Sequence, residues 1–166
     1  MISAMNRCGT KSKLLKRGEK GQSLVEFSLV FLILIVMIIG FIETVIFIHT
    51  YNVLADAAKE GVRYAIVHGS SNSSPSGPSC AGSGCAAITG APGTGVVKTY
   101  AQYSLHSTTT MTVTANYNPG NANGATACNT APCLVQVTVS YPYQPLFGVA
   151  WATVTVNAAA EGRIVF

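Results

Sequence analysis

Phe27 to Ile48 reads FSLVFLILIVMIIGFIETVIFI, an apolar run of 22 residues whose single charge is Glu43. About 20 apolar residues cross the hydrocarbon core of a bilayer as a helix. The run therefore predicts a membrane-spanning helix, and everything on either side must be arranged around it. The helical pattern does not stop where the run ends. Apolar positions recur at Tyr51, Leu54, Ala58, Val62 and Ala65, flanked by Val53, Ala57 and Ile66. That is the i, i+3/i+4 stripe of an amphipathic helix. Asp56, Lys59, Glu60 and Arg63 fall mainly off the stripe. Gly61 interrupts it, at a cost of about 1 kcal/mol relative to alanine in an exposed helix interior. The expected helix spans Gln22 to Val67, about 46 residues and about 69 Å at the usual rise. Its first half suits lipid, and its second half needs something to pack on.

Charge fixes the direction of insertion. Residues 1–21 carry Arg7, Lys11, Lys13, Lys16, Arg17 and Lys20 against Glu19, a net +5. Residues 22–166 carry Lys59, Arg63, Lys98 and Arg163 against Glu26, Glu43, Asp56, Glu60 and Glu161, a net −1. A basic block directly before a span keeps the N-terminus cytoplasmic and exports the C-terminus. The nearly neutral remainder offers no basic patch for nucleic acid. A secretory signal peptide has the same basic start, but its apolar core runs about 7–15 residues and ends in a small-residue cleavage site. The nearest such match, Ala55 to Ala57, lies too far beyond the apolar run, which favours a retained anchor. The expected organisation is a basic cytoplasmic leader at 1–21, a transmembrane helix at 22–50 and an extracytoplasmic domain at 51–166.

Beyond the helix, residues 69–95 are dominated by Gly, Ser, Pro and Ala and read as a surface loop. A short helix is expected from Val96 to Leu105, with Val97, Tyr100, Ala101 and Leu105 on one face. Three stretches then alternate with a period of two: Thr108–Tyr117 with Met111, Val113, Ala115 and Tyr117 inward; Leu134–Tyr141 with Val135, Val137, Val139 and Tyr141 inward; and Trp151–Ala158. Threonine and valine suit a pleated, half-buried surface, and the intervening Asn-Pro-Gly and Tyr-Pro-Tyr clusters read as turns. A small sheet needs a cover for its apolar face, and the amphipathic half of the long helix is the available one. The fold class is α+β: a long N-terminal transmembrane helix extending into a small exported domain with a short helix and a three- to four-stranded antiparallel sheet.

No catalytic constellation emerges. His49, His68 and His106 are isolated, there is no nucleophile elbow, and no phosphate or dinucleotide loop has the required strand–turn–helix setting. Glu26 and Glu43 lie 17 positions apart, about 25 Å along a helix and too far for paired acid–base chemistry. The reading is of a protein that is not an enzyme and needs no cofactor. Cys8 falls on the cytoplasmic side. The four exported cysteines form two equally spaced pairs, Cys80 with Cys85 and Cys128 with Cys133, and four cysteines allow three disulfide connectivities. The two local bridges are favoured because CAGSGC and CNTAPC can close small rings. The rival is a four-cysteine metal site, which the spacing fits poorly. Two carboxylates stand in costly places. Glu26, at the inner lip of the span, either snorkels to water or has a function. Glu43 either meets water and headgroups at the outer interface or faces another helix.

At Lys20–Phe27 the sequence KGQSLVEF resembles the class III signal of type IV prepilins and pseudopilins: a basic leader, a glycine, and a glutamate five residues on that opens an apolar helix. More specifically, residues 21–69 resemble the TadE-like family of the Tad/Flp tight-adherence pilus. They share Gly-Gln-x-Leu-Val-Glu-Phe, the second glutamate Glu43, and the Ala57–Ala65 stretch AAKEGVRYA. The strand Val135–Phe147 and Glu161 are also similar. Phe27 stands where Tad pilins often have tyrosine. The resemblance implies a pilin-like fold and cleavage between Gly21 and Gln22 by a prepilin peptidase. It implies a role for Glu26, Phe27 and Glu43 in assembly, with Glu26 pairing with the new amine at Gln22 of a neighbouring subunit. The implied partners are other pilin or pseudopilin subunits, the Tad inner-membrane machinery and the lipid bilayer. The competing reading is an uncleaved single-pass protein whose exported domain binds an envelope or secretion partner.

Overall fold

The computed structural model describes residues 19–77, 83–119, 128, 130–145 and 153–165. Its elements run α1 (Glu19–Val67), α2 (Ser83–Thr89), α3 (Val96–Ala101), β1 (Thr112–Tyr117), β2 (Leu134–Tyr143) and β3 (Val154–Arg163). This is the expected α+β arrangement of a long helix followed by a three-stranded antiparallel sheet in the order β1-β2-β3. The chain divides into two compact units, 1–42 and 43–166, so α1 contributes its first half to one and its second half to the other.

In the first unit, α1 stands with its side chains outward. From Leu24 to Ile48 every large apolar side chain except Ile39 and Ile46 is exposed. No proline interrupts the helix, so each backbone group within it finds its partner locally, as a helix surrounded by lipid requires.

The second unit is built on three rungs that cross the sheet. Register pairs Val113 with Val139 and Ala158, Ala115 with Val137 and Ala160, and Tyr117 with Val135 and Gly162. These residues face inward, because successive strand side chains alternate between faces. Val135, Val137 and Val139 are fully buried in the middle strand, and β3 contributes the small side chains. The second half of α1 lies over this face through Leu54, Ala57, Ala58, Val62 and Ala65, all in one core with Ile88, Val97 and Met111. Two glycines let the layers close. A Cβ on Gly61 would sit 2.6 Å from Val97 Cγ2 and 3.1 Å from Val137 Cγ1, and one on Gly162 would sit 2.6 Å from both Val62 Cγ1 and Ile66 Cδ1. Gly61 is thus a buried contact point rather than an exposed helix defect, which reverses the penalty assigned to it from sequence. Tyr51, placed on the stripe by periodicity, is 47% exposed.

Element ends differ from expectation for identifiable reasons. The loop at 69–95 contains α2, anchored by the fully buried Ile88. The helix expected to reach Leu105 closes at Ala101, whose carbonyl accepts from both Ser104 and Leu105 in a tightening turn. Residues 108–111 make a turn, with Met111 N–H donating to Thr108 at 3.2 Å, so β1 begins at Thr112. β2 runs through Pro142 to Tyr143 instead of turning there. Pro142 lies beyond Thr112↔Ser140, the outermost β1 pair, so the strand has only β3 beside it at that point. A proline is tolerated where a strand has a single neighbour. β3 continues past Ala158 to Arg163, held by pairing with Leu134–Thr138. Its expected start at Trp151 lies outside the described residues.

The segment after α1 is tied back to the sheet. Ser76 donates from its backbone N–H at 2.7 Å and its hydroxyl at 2.9 Å to the His68 carbonyl. The buried Tyr117 hydroxyl donates in turn to Ser76, through its carbonyl and its Oγ. Burial pushes the Tyr117 hydroxyl above its ordinary pKa, against the opposing influence of the Ser76 hydrogen bond.

Candidate membrane anchor and assembly residues

The first half of α1 satisfies the length and composition of a membrane span, with none of its most apolar window buried inside the protein. Each large apolar side chain left in water forgoes about 1.5–3 kcal/mol of burial. The exposed set from Leu24 to Ile48 would on that scale exceed the whole stability of an ordinary domain, about 5–15 kcal/mol. The helix is consistent with a membrane anchor, whose surrounding lipid would cover these side chains.

The residues expected to act at its start share one helical neighbourhood. Gly21, Gln22, Glu26 and Phe27 are all exposed on α1. Gln22 and Glu26 are four positions apart and so lie on one face. Together with Gly21, Val25, Leu29 and Val30 they line a shallow groove along the helix. Space is open around Gly21, where an added Cβ would meet nothing within 4 Å. Phe27 stacks on Phe31 one turn later, with ring centroids 6.1 Å apart and planes 12° from parallel. The Glu26 carboxylate thus shares its groove with Gln22 and with apolar side chains, one turn from the peptide bond that the resemblance marks for cleavage.

Glu43 is in a different setting and belongs to the second unit. It is half-buried, and its Oε2 accepts a 2.9 Å hydrogen bond from the Tyr143 hydroxyl. Phe47, one turn further along α1, meets the same tyrosine edge-on at 5.4 Å and 86°. Neither expected environment for Glu43, water at the interface or a neighbouring helix, anticipated a partner 100 residues away in the same chain. The partner lies in the Tyr-Pro-Tyr sequence, whose composition suggests a turn.

The cysteines divide. Cys128 and Cys133 are joined in a disulfide with Cα atoms 6.1 Å apart. Cys80 and the side chain of Cys85 lie outside the described residues. Among the described residues no group of three His, Cys, Asp or Glu side chains could hold a metal. His49 and His106 are exposed, and His68 is stacked on Tyr64 at 3.9 Å with its Nδ1 2.9 Å from the Tyr64 carbonyl. The three histidines are dispersed along the fold.

With this geometry in place, comparison with known families gives one finding: the family model described as TadE-like protein matches residues 21–63. No curated protein and no solved structure matches the chain.

Proposed function

We propose that this chain, whose residues 21–63 are TadE-like, is a minor pseudopilin or assembly component of a Tad/Flp pilus. The family match indicates a structural component associated with the Tad pilus rather than a known enzyme. The observation that carries the reading is coincidence: the matched residues begin at the proposed cleavage glycine, take in the lipid-suited half of α1, and end within the stripe that covers the sheet. In this reading the basic leader stays in the cytoplasm and the second unit is exported from the bacterial inner membrane. Prepilin peptidase cuts between Gly21 and Gln22, and the amine released at Gln22 pairs with Glu26 of a neighbouring subunit. Two opposite charges brought together in a low-dielectric helical bundle offset part of each other's desolvation cost, whereas either alone is penalised. The protein acts through helix packing among pilin or pseudopilin subunits and the Tad membrane machinery.

Mass spectrometry of the membrane-extracted chain tests the processing step. The expected N-terminus is Gln22 in cells with active prepilin peptidase and Met1 in cells without it. Met1 in both would overturn cleavage and leave the uncleaved single-pass reading. Glu26→Gln should abolish filament assembly while leaving the unfolding of the exported unit unchanged. A variant that assembles normally would remove Glu26 from the mechanism.

A further inference from the structure

Tyr143 closes a three-residue cluster that the proposed function does not use. Glu43 and Phe47 are four positions apart, so they lie one above the other on the same face of α1. The tyrosine reaches both, donating its hydroxyl to the carboxylate at 2.9 Å and setting its ring against the phenylalanine at 5.4 Å. It is the last residue of β2 and is buried, at 7% exposure. A carboxylate among apolar side chains is costly unless it accepts hydrogen bonds, and a bond to an ionised acceptor is about twice as strong as a neutral one. Burial first, and then the Glu43 carboxylate, push the Tyr143 hydroxyl up to about 12. The phenol therefore holds its proton more tightly than a free tyrosine and stays the donor of the pair.

We propose that Tyr143 is the positioning residue for Glu43: the pair is an intrachain bolt that locks the end of β2 onto α1. Through it, the glutamate serves assembly by holding residues 141–145 in one arrangement, not by meeting a cation on a neighbouring subunit. The inference deepens the pilus reading and rests on it only for the consequence in the filament. The bolt itself is a property of the single chain.

Hydrogen exchange at Tyr141, Tyr143 and Gln144 in the detergent-extracted full chain tests it. Tyr143→Phe keeps the ring and removes only the hydroxyl, and should speed exchange about tenfold, as expected for loss of a bond to a charged group. Glu43→Ala should speed it at least as much, and adding Tyr143→Phe to Glu43→Ala should bring no further increase. Glu43→Gln still offers an amide oxygen to the phenol and should stay within about threefold of the unaltered chain. In filament assays Tyr143→Phe and Glu43→Ala should fail together while Glu43→Gln works. Exchange in Tyr143→Phe at the unaltered rate, or Glu43→Gln as fast as Glu43→Ala, would overturn the bolt. The exchange arm needs neither cleavage nor a pilus, so failure of the pilus reading would leave its result intact. Conversely, a failed exchange test beside normal N-terminal processing would leave the pilus reading standing.

Discussion

The two halves of α1 are one continuous helix with two different surfaces. Before Glu43 the sequence is Val, Ile, Leu and Phe on every face, and nearly all of it is exposed. After Glu43 the buried positions are Thr50, Leu54, Ala57, Ala58, Gly61, Val62 and Ala65, while Lys59 pairs with Asp56 at 2.9 Å and Arg63 with Glu60 at 3.8 Å on the outer side. Lipid asks for apolar surface all round and no unsatisfied backbone, and is indifferent to side-chain shape. A sheet asks for one narrow stripe whose residues are small enough for two layers to meet. Where the apolar side chains lie, and how small the buried ones are, separates the halves.

Matched leucines give the sharpest way to break that comparison. Leu54 is fully buried, whereas Leu34 is 51% exposed. Leu54→Ala removes packed methyl groups and leaves a cavity, a change that typically costs about 2–5 kcal/mol. Leu34→Ala should leave the unfolding of the 43–166 unit where it was. Denaturant midpoints of the two variants in the same detergent check this. Equal shifts would mean that the halves do not answer to different surroundings.

Matched glycines give a smaller effect of the same form. Gly40 and Gly61 both sit inside α1, and an added Cβ meets nothing within 4 Å at Gly40 but three side chains at Gly61. Gly40→Ala should be neutral or strengthen the helix by up to about 1 kcal/mol through propensity alone. Gly61→Ala has the same propensity gain but forces Val97 and Val137 aside, and overpacking of that kind costs about 1–3 kcal/mol. The measured sign should therefore reverse between the two sites in thermal unfolding.

What could be read from the sequence follows the same division. A lipid-facing helix announces itself through composition alone, and the inward row Val135, Val137, Val139 through a period of two. The stripe on α1 was legible except at Tyr51, because period identifies a face but not where that face outruns its cover. Other features depend on contacts distant in sequence. Ile88 stands among small and polar residues, and α2 is anchored through it only because the core receives it. Ala159 to Arg163 form a strand because β2 lies beside them, against the poor strand preference of alanine and glycine. Glu43 was recognised as a residue out of place, and its partner was invisible because nothing local in either segment refers to the other.

The last effect concerns proton binding, and it also belongs to one side of the comparison. All seven tyrosines lie from Tyr51 onward, so none is in the lipid-suited half. Tyr143 in the folded chain sits at about 12, above the ordinary value of 10.0, and Tyr117 is raised as well. A group whose pKa is raised by folding holds its proton more tightly in the native state. Its contribution to stability is complete below pH 10 and is lost as pH climbs from there toward 12. The unfolding midpoint should thus hold level to about pH 10 and then decline. Tyr143→Phe, though less stable at neutral pH, should decline less steeply because one of the two raised tyrosines is gone. Leu34→Ala should keep the full alkaline slope of the unaltered chain. A Tyr143→Phe slope equal to that of the unaltered chain would mean that the phenol is not held protonated by the burial and the carboxylate around it, and the hydrogen bond to Glu43 would lose its energetic support.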